Sequence, residues 1–477
     1  MTANNKTFFL PTTKEEMKQL GWNELDILLI SGDAYIDHPS FGPAIIGKYL
    51  LKYGYKVGII AQPSWHSTTD IAKMGKPRLF IGISGGSLDS MLAHYTAFRK
   101  KRNTDTYTPG GETGKRPNRA VIVYANIARQ AFPETPIIIG GIEASLRRFA
   151  HYDFWENKIR NSILLDSKAD LLVYGMAEKA VLDIARRIDE FRKLHDTNKK
   201  LPSNLLHGIK GTVFAINKSD FSFSDENCIF LPSCEEIITN PDLLLKATTM
   251  AEQQVHEAKK RLIQKHADRI IIAEPPQSPL LTQEIDEIYA LPFTREQHPS
   301  YKNEIPALRT VQFTITTHRG CAGGCSFCAL ALHQGRKIQS RSFASIIKEA
   351  TVLAQHPKWR GTIENVGAAT ANMWSAKCRI NYSCNKGSCL WPQICPNFIC
   401  DQKKLAELLE AIRALPNVSN VRSASGIRHD LAERNQYYLE KLISNFTGGH
   451  LTVAPEHCCD NVLYLMRKPP FLFFERF

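Results

Sequence analysis

The sequence TTHRGCAGGCSFC occupies residues 316–328 and places Cys321, Cys325 and Cys328 in the order C-x3-C-x2-C. Thiolates suit iron–sulfur clusters, zinc and copper(I), and three this close in sequence can bind one metal centre. Iron–sulfur clusters ordinarily have four Cys ligands, so a [4Fe–4S] cluster held by three leaves one iron open to a small molecule. Structural zinc, which needs four ligands, and three unrelated thiols are the alternatives.

A strand pattern stands directly before this loop, because Val311, Phe313 and Ile315 alternate with polar residues. Ser342 or Ser345 is expected to cap the helix that follows, which runs to about residue 355. Further strands are predicted at 362–366, 420–425 and 450–453, and helices at 402–415 and 432–446. Catalytic groups of such folds lie at the carboxyl ends of the strands, where this loop is placed.

Strand and helix patterns also alternate across residues 20–200, which predicts a Rossmann-like, open α/β layer with a parallel sheet. The strands are expected at 26–31, 56–61, 78–84, 135–140 and 169–175, and one helix at 41–54. Farther along, 244–266 is predicted as one long amphipathic helix, 269–273 as a strand and 292–306 as a polar linker. We therefore predict an N-terminal α/β domain at 1–300 and a second domain at 307–477.

Composition limits the class of protein. The 477 residues are 43% hydrophobic and 22% charged, as in globular proteins, with a net charge of +13. The first residues lack the apolar core of a signal peptide, and no run of about 18 apolar residues predicts a transmembrane helix. Ten of the twelve Cys follow residue 320, which favours metal binding over a disulfide framework. A cytoplasmic location without a membrane partner is expected.

A second cysteine group has the spacing C-x5-C-x4-C-x5-C-x4-C and fits no standard zinc ribbon. Its members are Cys378, Cys384, Cys389, Cys395 and Cys400. One interpretation is an auxiliary metal, as a cluster or as zinc, at Cys378, Cys384, Cys389 and Cys395. The other is a set of reduced thiols that pack together. The adjacent Cys458 and Cys459 are expected to begin a helix and to pack in a core.

A basic segment at 99–102 (RKKR) is followed by Tyr107, by glycines at 110, 111 and 114, and by Lys115, Arg116 and Arg119. This stretch is predicted to be a flexible basic loop. Lys and Arg side chains in such a loop could contact nucleic-acid phosphates. A solvated surface loop without a ligand is the alternative.

The loop at 316–328 resembles that of radical S-adenosylmethionine (SAM) enzymes. The resemblance implies that Cys321, Cys325 and Cys328 bind a [4Fe–4S] cluster whose fourth iron chelates SAM. An electron then cleaves SAM to methionine and a 5′-deoxyadenosyl radical, which abstracts hydrogen from substrate. The resemblance also implies a reducing donor such as flavodoxin or ferredoxin. Phe327 takes the family's aromatic position beside the cofactor; a core anchor is its other interpretation.

Longer blocks across nearly the whole chain are similar to the YgiQ family. They lie at 119–124, 140–153, 166–176, 333–342, 370–373, 425–428 and 453–457. This resemblance implies a family-specific N-terminal domain followed by a radical SAM (β/α) barrel. The N-terminal layer also resembles cobalamin-binding-like domains, although Asp37-His38 precedes Gly42 at the wrong spacing for a D-x-H-x-x-G ligand motif.

Two departures from the family pattern affect the expected site. The family form resembles Gly-Gly-Pro-Thr-Ala-Asn-Met, whereas this chain has Gly367, Ala368, Ala369 and then Thr370. The resemblance places SAM against Gly367, Ala368 and Thr370, and the extra methyl of Ala368 fits only if its φ is negative. In addition, six βα units need roughly 180 residues at about 30 each, so the barrel is expected to be truncated at the C-terminus.

The sequence thus predicts a radical SAM enzyme of unknown substrate whose activity as this shortened chain is in question. The alternative is a non-catalytic iron–sulfur or zinc module that binds nucleic acid, as a decayed or truncated relative.

Overall fold

The computed structural model describes residues 8–195, 199–222, 227–380, 384 and 386–477. The strands of these residues are β1 (Ile27–Ser31), β2 (Val57–Ala61), β3 (Phe80–Ser84), β4 (Ile137–Gly140), β5 (His151–Asp153), β6 (Lys158–Arg160), β7 (Leu171–Val173), β8 (Thr212–Asn217), β9 (Cys228–Phe230), β10 (Arg261–His266), β11 (Arg269–Ala273), β12 (Thr314–Thr316), β13 (His318–Arg319), β14 (Gln339–Ser340), β15 (Thr362–Ile363), β16 (Asn365–Gly367), β17 (Lys377–Cys378), β18 (Phe398–Ile399) and β19 (Asn420–Val421).

The α-helices are α1 (Lys14–Gln19), α2 (Gly42–Lys52), α3 (Thr69–Ala72), α4 (Ser90–His94), α5 (Ala120–Ala131), α6 (Gly141–Leu146), α7 (Ile163–Ser167), α8 (Glu178–Leu194), α9 (Cys234–Thr239), α10 (Asp242–Glu257), α11 (Thr282–Tyr289), α12 (Pro306–Val311), α13 (Leu330–Gln334), α14 (Phe343–Leu353), α15 (Gln402–Arg413), α16 (His429–Ala432), α17 (Gln436–Asn445), α18 (Asp460–Leu465) and α19 (Leu472–Arg476). Short 3-10 turns occur at Pro109–Gly111, Lys218–Asp220 and Ala371–Met373. Among the described helices, every one is too short or too polar to cross a membrane.

The chain divides into two units. Unit 1 comprises Met1–Ser278 and Pro292–Arg309, and unit 2 comprises Pro279–Leu291 and Thr310–Phe477. Unit 1 is built on a nine-stranded sheet in the order β2-β1-β3-β4-β7-β8-β11-β10-β9. The first five of these strands pair in parallel. The predicted Rossmann-like core is therefore confirmed, and β8, β11 and β10 extend it with antiparallel pairs.

The strands of this core are mostly apolar because helices cover both faces of a parallel sheet. All five residues of β1 are buried. Helix α2 follows β1 and begins at Gly42-Pro43, where proline's fixed φ suits the first turn. It ends at Lys52, and Gly54 follows its C-cap with a φ of +89° that only glycine adopts readily. The predicted helix at 41–54 is thus confirmed.

The order of the parallel strands reverses between β1 and β3, which is where open α/β sheets usually bind a ligand. Here the backbones close on each other, since a Cβ on Gly32 would overlap the carbonyl oxygen of Gly85. The guanidinium of Arg116 fills the adjoining space. Its Nη1 donates to Asp33 at 2.8 Å, and its Nε and Nη2 each donate to Asp105 at 3.0 Å. All three side chains are buried, so the chain itself occupies this crevice.

The helix predicted at 244–266 is wrong in its second half. Helix α10 ends at Glu257, and Ala258 adopts a left-handed conformation with φ of 54°. Arg261–His266 then forms β10, which pairs with both β11 and β9. Sheet pairing on both sides outweighs the helical preference of the Lys- and Gln-rich sequence, as tertiary contacts often do.

Residues 292–309 form a strap on unit 1 instead of a solvated linker. Backbone hydrogen bonds tie Asp37 to Glu296 and Arg295, both at 2.9 Å. The carboxylate of Asp37 also pairs with buried Lys48 at 3.3 Å. Nε2 of His38 lies 3.0 Å from Nη1 of Arg295. Asp37 and His38 therefore hold the strap against the rest of unit 1.

Unit 2 contains short parallel strand pairs instead of one continuous sheet in its described residues. Strand β12 pairs with β16, and β15 pairs with β19. The strand predicted at 450–453 is reduced to a single bridge between Ile427 and Val453. Helices α14, α15 and α17 pack their apolar faces on these strands. Ser342 caps α14 by accepting from the backbone of Ser345 at 3.1 Å, which confirms the first of the two expected caps.

Candidate metal centre

The cysteine loop begins where β13 ends, directly after β12. Strand β13 pairs with β14, and the backbone N–H of Cys321 donates to Gly335 at 3.2 Å. Gly320 has a φ of +88°, and a Cβ there would lie 2.5 Å from the carbonyl oxygen of Lys337. Only glycine can make this turn, because the backbone is left-handed and the space is already filled. The fold therefore fixes the start of the loop.

The three thiols of the loop face one another. The sulfur atoms of Cys321 and Cys325 lie 3.5 and 3.6 Å from the point that a Cβ on Gly323 would occupy. Burial raises the pKa of the Cys325 thiol, and the neighbouring Cys321 and Cys328 raise it further. The backbone N–H of Cys328 donates to Cys325 at 3.1 Å, which closes the turn between them. The structure thus brings all three sequence-predicted ligands together.

Thiolates around one zinc lie about 2.3 Å from it, and hence about 4 Å from one another. In the part of the chain that the structure describes, no three Cys, His, Asp or Glu side chains form such a site for a single ion.

Two buried cations face the thiols, and sequence reasoning missed both roles. Nη1 of Arg428 lies 3.7 Å from the same point beside Gly323. Asp430 holds this guanidinium by two hydrogen bonds, at 2.8 and 2.6 Å. Lys468 and Arg428 both act to lower the pKa of Cys325, although burial outweighs them. Positive charge at this place stabilises thiolates, which metal binding requires.

The predicted SAM-binding segment follows β16 and reaches the loop. The hydroxyl of Thr370 lies 3.4 Å from the sulfur of Cys321. Gly367 is hydrogen-bonded through its carbonyl oxygen to the backbone N–H of Thr317 at 2.9 Å. Ala368 and Ala369 both have φ outside the left-handed region, so the backbone accepts the extra methyl of Ala368 without strain. The departure from Gly-Gly is therefore compatible with this fold.

Phe327 is 52% exposed. This exposure contradicts the interpretation of Phe327 as a core anchor. An aromatic ring held half in solvent between Cys325 and Cys328 is available to contact a ligand of the loop.

The last part of the chain braces the loop from outside. Ser326 donates through its hydroxyl to Leu465 at 2.7 Å and through its backbone to Met466 at 3.2 Å. Lys468 is buried and donates to Ala454 at 2.7 Å. The two Ser326 contacts join residues about 140 apart in sequence, so a local pattern could not have indicated them.

Cys389 and Cys400 of the second cysteine group pack against the same small apolar core but have different neighbours. Cys378, Cys384 and Cys395 are near enough to Cys389 to affect its pKa, which burial raises to about 11. Cys400 instead contacts Gln402 and the carbonyl oxygen of Asn372. Cys458 and Cys459 are both exposed, so their expected core packing is wrong, although Cys459 does begin α18.

The basic segment 99–102 is ordered as a tight turn instead of an open loop. Tyr95 pairs with Lys101 in an antiparallel bridge, and Arg99 turns the chain with a φ of 58°. The guanidinium of Arg99 stacks on the ring of Phe154 at 4.5 Å. Phe98, at the tip, is 88% exposed. Unit 1 thus presents a cationic and aromatic surface, which we call the basic turn.

Comparison with protein families gives a match over most of unit 1 and its strap. A family model described as "Radical SAM N-terminal" matches residues 9–314. A UPF0313 protein of Thermotoga neapolitana is 48% identical over 477 residues, covering 98% of this chain and 82% of its own length. A UPF0313 protein of Clostridium botulinum (strain Okra) is 46% identical, covering 97% of this chain and 71% of its own.

Solved structures of a radical S-adenosylmethionine methyltransferase, TsrM from Kitasatospora setae, share the fold. One with cobalamin and a [4Fe–4S] cluster bound has a TM-score of 0.50 at 15% identity, over 94% of this chain and 66% of its own. Another, with tryptophan and a SAM analogue, has a TM-score of 0.50 at 13% identity, over 94% and 64%. This chain therefore spans slightly less than two thirds of those structures.

Proposed function

The chain belongs to the YgiQ (UPF0313) family of radical SAM proteins, and on that premise we propose that it is a radical SAM enzyme. The observation that carries the proposal is the convergence of three thiols in one glycine-turned loop, two of them within 3.6 Å of one point beside Gly323. Cys321, Cys325 and Cys328 hold a [4Fe–4S] cluster in this proposal.

Each residue around the loop has a defined task in the proposal. Arg428 and Lys468 offset the negative charge of the thiolates, since both act on Cys325. Asp430 keeps the Arg428 guanidinium in place through two hydrogen bonds. Their joint effect is to favour the deprotonated thiols that a metal needs at neutral pH.

SAM lies against the open side of the loop in this proposal. Thr370 is 3.4 Å from Cys321 and offers a hydroxyl to the cofactor. Buried Gly367 ends β16 and partly exposed Ala368 follows it, and half-exposed Phe327 offers an aromatic face. Parallel strands present their carboxyl ends here, where α/β enzymes place their ligands.

When bound, the cluster and SAM would supply the chemistry, which is one-electron reductive cleavage of SAM and hydrogen-atom abstraction from substrate, while the protein would bind and orient them. A small redox protein such as flavodoxin or ferredoxin supplies that electron in our proposal. We place the reaction in the cytoplasm, where thiols stay reduced.

Anaerobic turnover tests this function. The protein is reconstituted with iron and sulfide, reduced with dithionite and given SAM, and 5′-deoxyadenosine is measured by chromatography. We expect 5′-deoxyadenosine from the native chain and none from Cys325→Ala. Cys458→Ala, which removes an exposed thiol, is the matched control and retains activity. A native chain that binds a cluster yet forms no 5′-deoxyadenosine contradicts the proposal.

The basic turn favours a second candidate function, that of a non-catalytic module that binds nucleic acid. An exposed aromatic ring beside consecutive cations suits stacking of single-stranded bases and contact with phosphates. Binding of labelled single-stranded RNA is measured by anisotropy at several salt concentrations. Replacing Lys100 and Lys101 by Ala should reduce the slope of log K against log salt by about 1.4, at about 0.7 per phosphate contact. An unchanged slope contradicts this candidate.

A further inference from the structure

The second cysteine group is gathered by its own backbone. Cys378 lies opposite Phe398 in the β17–β18 pair. The backbone N–H of Phe398 donates to Cys395 at 2.9 Å, and that of Cys395 donates to Cys389 at 2.8 Å. Three cysteines are thereby linked through two hydrogen bonds and one strand pair. Cys384 joins them, since its thiol acts on that of Cys389.

Cys400 packs against the same apolar core as Cys389, but its sulfur has polar contacts of its own, which leaves four thiols for a ligand set. That sulfur accepts from Nε2 of Gln402 at 3.0 Å and lies 3.3 Å from the carbonyl oxygen of Asn372. Four thiols are the full ligand set of an ordinary iron–sulfur cluster.

The surroundings of the four thiols suit an anionic metal centre. Nζ of Lys386 lies 3.5 Å from the sulfur of Cys395. The guanidinium of Arg336 is near enough to lower the pKa of Cys389, and it donates to the carbonyl oxygen of Lys386. On the other side Cys389 packs against a small apolar core that includes Met373 and Leu431. Cations and apolar walls of this kind tune the charge and solvent access of a cluster.

The second group is also joined to the first loop. The backbone N–H of Cys389 donates to the carbonyl oxygen of Ala322, the residue after Cys321, at 3.0 Å. The hydroxyl of Ser388 donates to the carbonyl oxygen of Gly323. Hydrogen bonds from residues 388 and 389 to residues 322 and 323 therefore join the two cysteine groups within unit 2.

We propose that Cys378, Cys384, Cys389 and Cys395 bind a second [4Fe–4S] cluster beside the first, and that Cys400 is not a ligand. A cluster is favoured over zinc because these four residues contain a single short pair, C-x4-C at Cys384 and Cys389, whereas zinc ribbons use two such pairs. The second centre goes beyond the proposed function, which needs only the first.

Metal analysis of anaerobically reconstituted full-length chains tests this assignment. The native chain should bind about eight iron, at four per cluster. The triple variant C321A/C325A/C328A should keep about four iron, with the Mössbauer signature of a [4Fe–4S] cluster. C389A/C395A should also bind about four, whereas the control C400A should keep about eight.

The outcomes separate this inference from the proposed function. Loss of all iron in C321A/C325A/C328A overturns the second cluster and leaves the first intact. A native chain with about four iron, none of it left in C389A/C395A, supports the second cluster and contradicts the first. Stoichiometric zinc in place of the second four iron overturns the cluster assignment. Circular dichroism of each apo-protein checks its fold, and the triple variant tests the second site without altering its cysteines.

Discussion

Replacing Arg116 by Met tests how the crevice between β1 and β3 is held shut. The side chain is 1% exposed and lies between Asp33 and Asp105. It donates two hydrogen bonds to Asp105, one to Asp33 at 2.8 Å and one to the carbonyl oxygen of Gly85 at 3.2 Å. Methionine fills much of the same volume but leaves two buried carboxylates without a cation.

The expected loss is large. Removing one partner of a buried ion pair destabilises a protein by roughly 3–5 kcal/mol, because a desolvated charge is left uncompensated. Total stabilities are only about 5–15 kcal/mol. Burial already raises the pKa of Asp33 against the effect of Arg116. Removal of Arg116 should therefore raise the pKa of Asp33 further, and the loss should shrink as the pH falls.

Urea unfolding followed by circular dichroism measures this loss. With a slope of about 2–3 kcal/mol/M, the midpoint of the transition of unit 1 should fall by about 1–2.5 M. Arg119→Met is the matched control, because Arg119 pairs with Asp153 and Glu156 but is partly exposed. The free energy of unfolding should fall by only about 1 kcal/mol in this control. Adding Asp33→Asn and Asp105→Asn to the variant should restore part of the stability. A loss below about 1 kcal/mol, or no greater than that of the control, refutes the reasoning.

Three further predictions rest on single sites. Hydroxocobalamin should not bind the native chain in equilibrium dialysis, because Arg116 and the Gly32–Gly85 contact fill the crevice between β1 and β3. Stoichiometric binding would contradict this prediction. Burial lowers the pKa of His266 to about 4 from 6.5, so the unfolded state binds more protons between these values and stability should fall as pH drops from about 6.5 to 4. His266→Gln should make the unfolding midpoint less dependent on pH in this range. An unchanged dependence would contradict the role of His266. Gly320→Ala should reduce the iron content, because its Cβ would lie 2.5 Å from the carbonyl oxygen of Lys337. The control Gly335→Ala should keep its iron, because Gly335 also has a positive φ, of +86°, but faces open space. Equal iron loss in both variants would show that backbone strain, and not the contact with Lys337, is responsible.

Local patterns predicted the parallel part of unit 1 because each βα unit is encoded within about 30 residues. Signals of this kind are the apolar run of β1 and the residues that bound α2, with Gly42-Pro43 at its start and Gly54 after its end. The error at 261–266 has the opposite origin. Its Arg, Gln and Lys residues favour a helix, and only pairing with distant β9 and nearby β11 makes them a strand.

The candidate metal centre also combines a local signal, which could be predicted, with contacts from distant residues, which could not. Three cysteines in one loop could be predicted, since their spacing is local. Arg428 and Lys468 could not, because they reach the loop from more than 100 residues away and a lone Arg or Lys in sequence gives no sign of burial. Arg116 is a third case, as it stands in a polar, glycine-rich segment that suggests a surface loop.

The strap has a consequence for how unit 1 is made on the ribosome. Asp37 and Lys48 belong to the first βα unit, yet Arg295 and Glu296, which close over Asp37, are synthesised about 250 residues later. At about 5–20 residues per second, that delay is roughly 12–50 s. During it the parallel strands can assemble in the order of synthesis, while this charge pair still lacks its cover. The N-terminal unit therefore completes its fold only after translation has passed residue 309, where the strap ends.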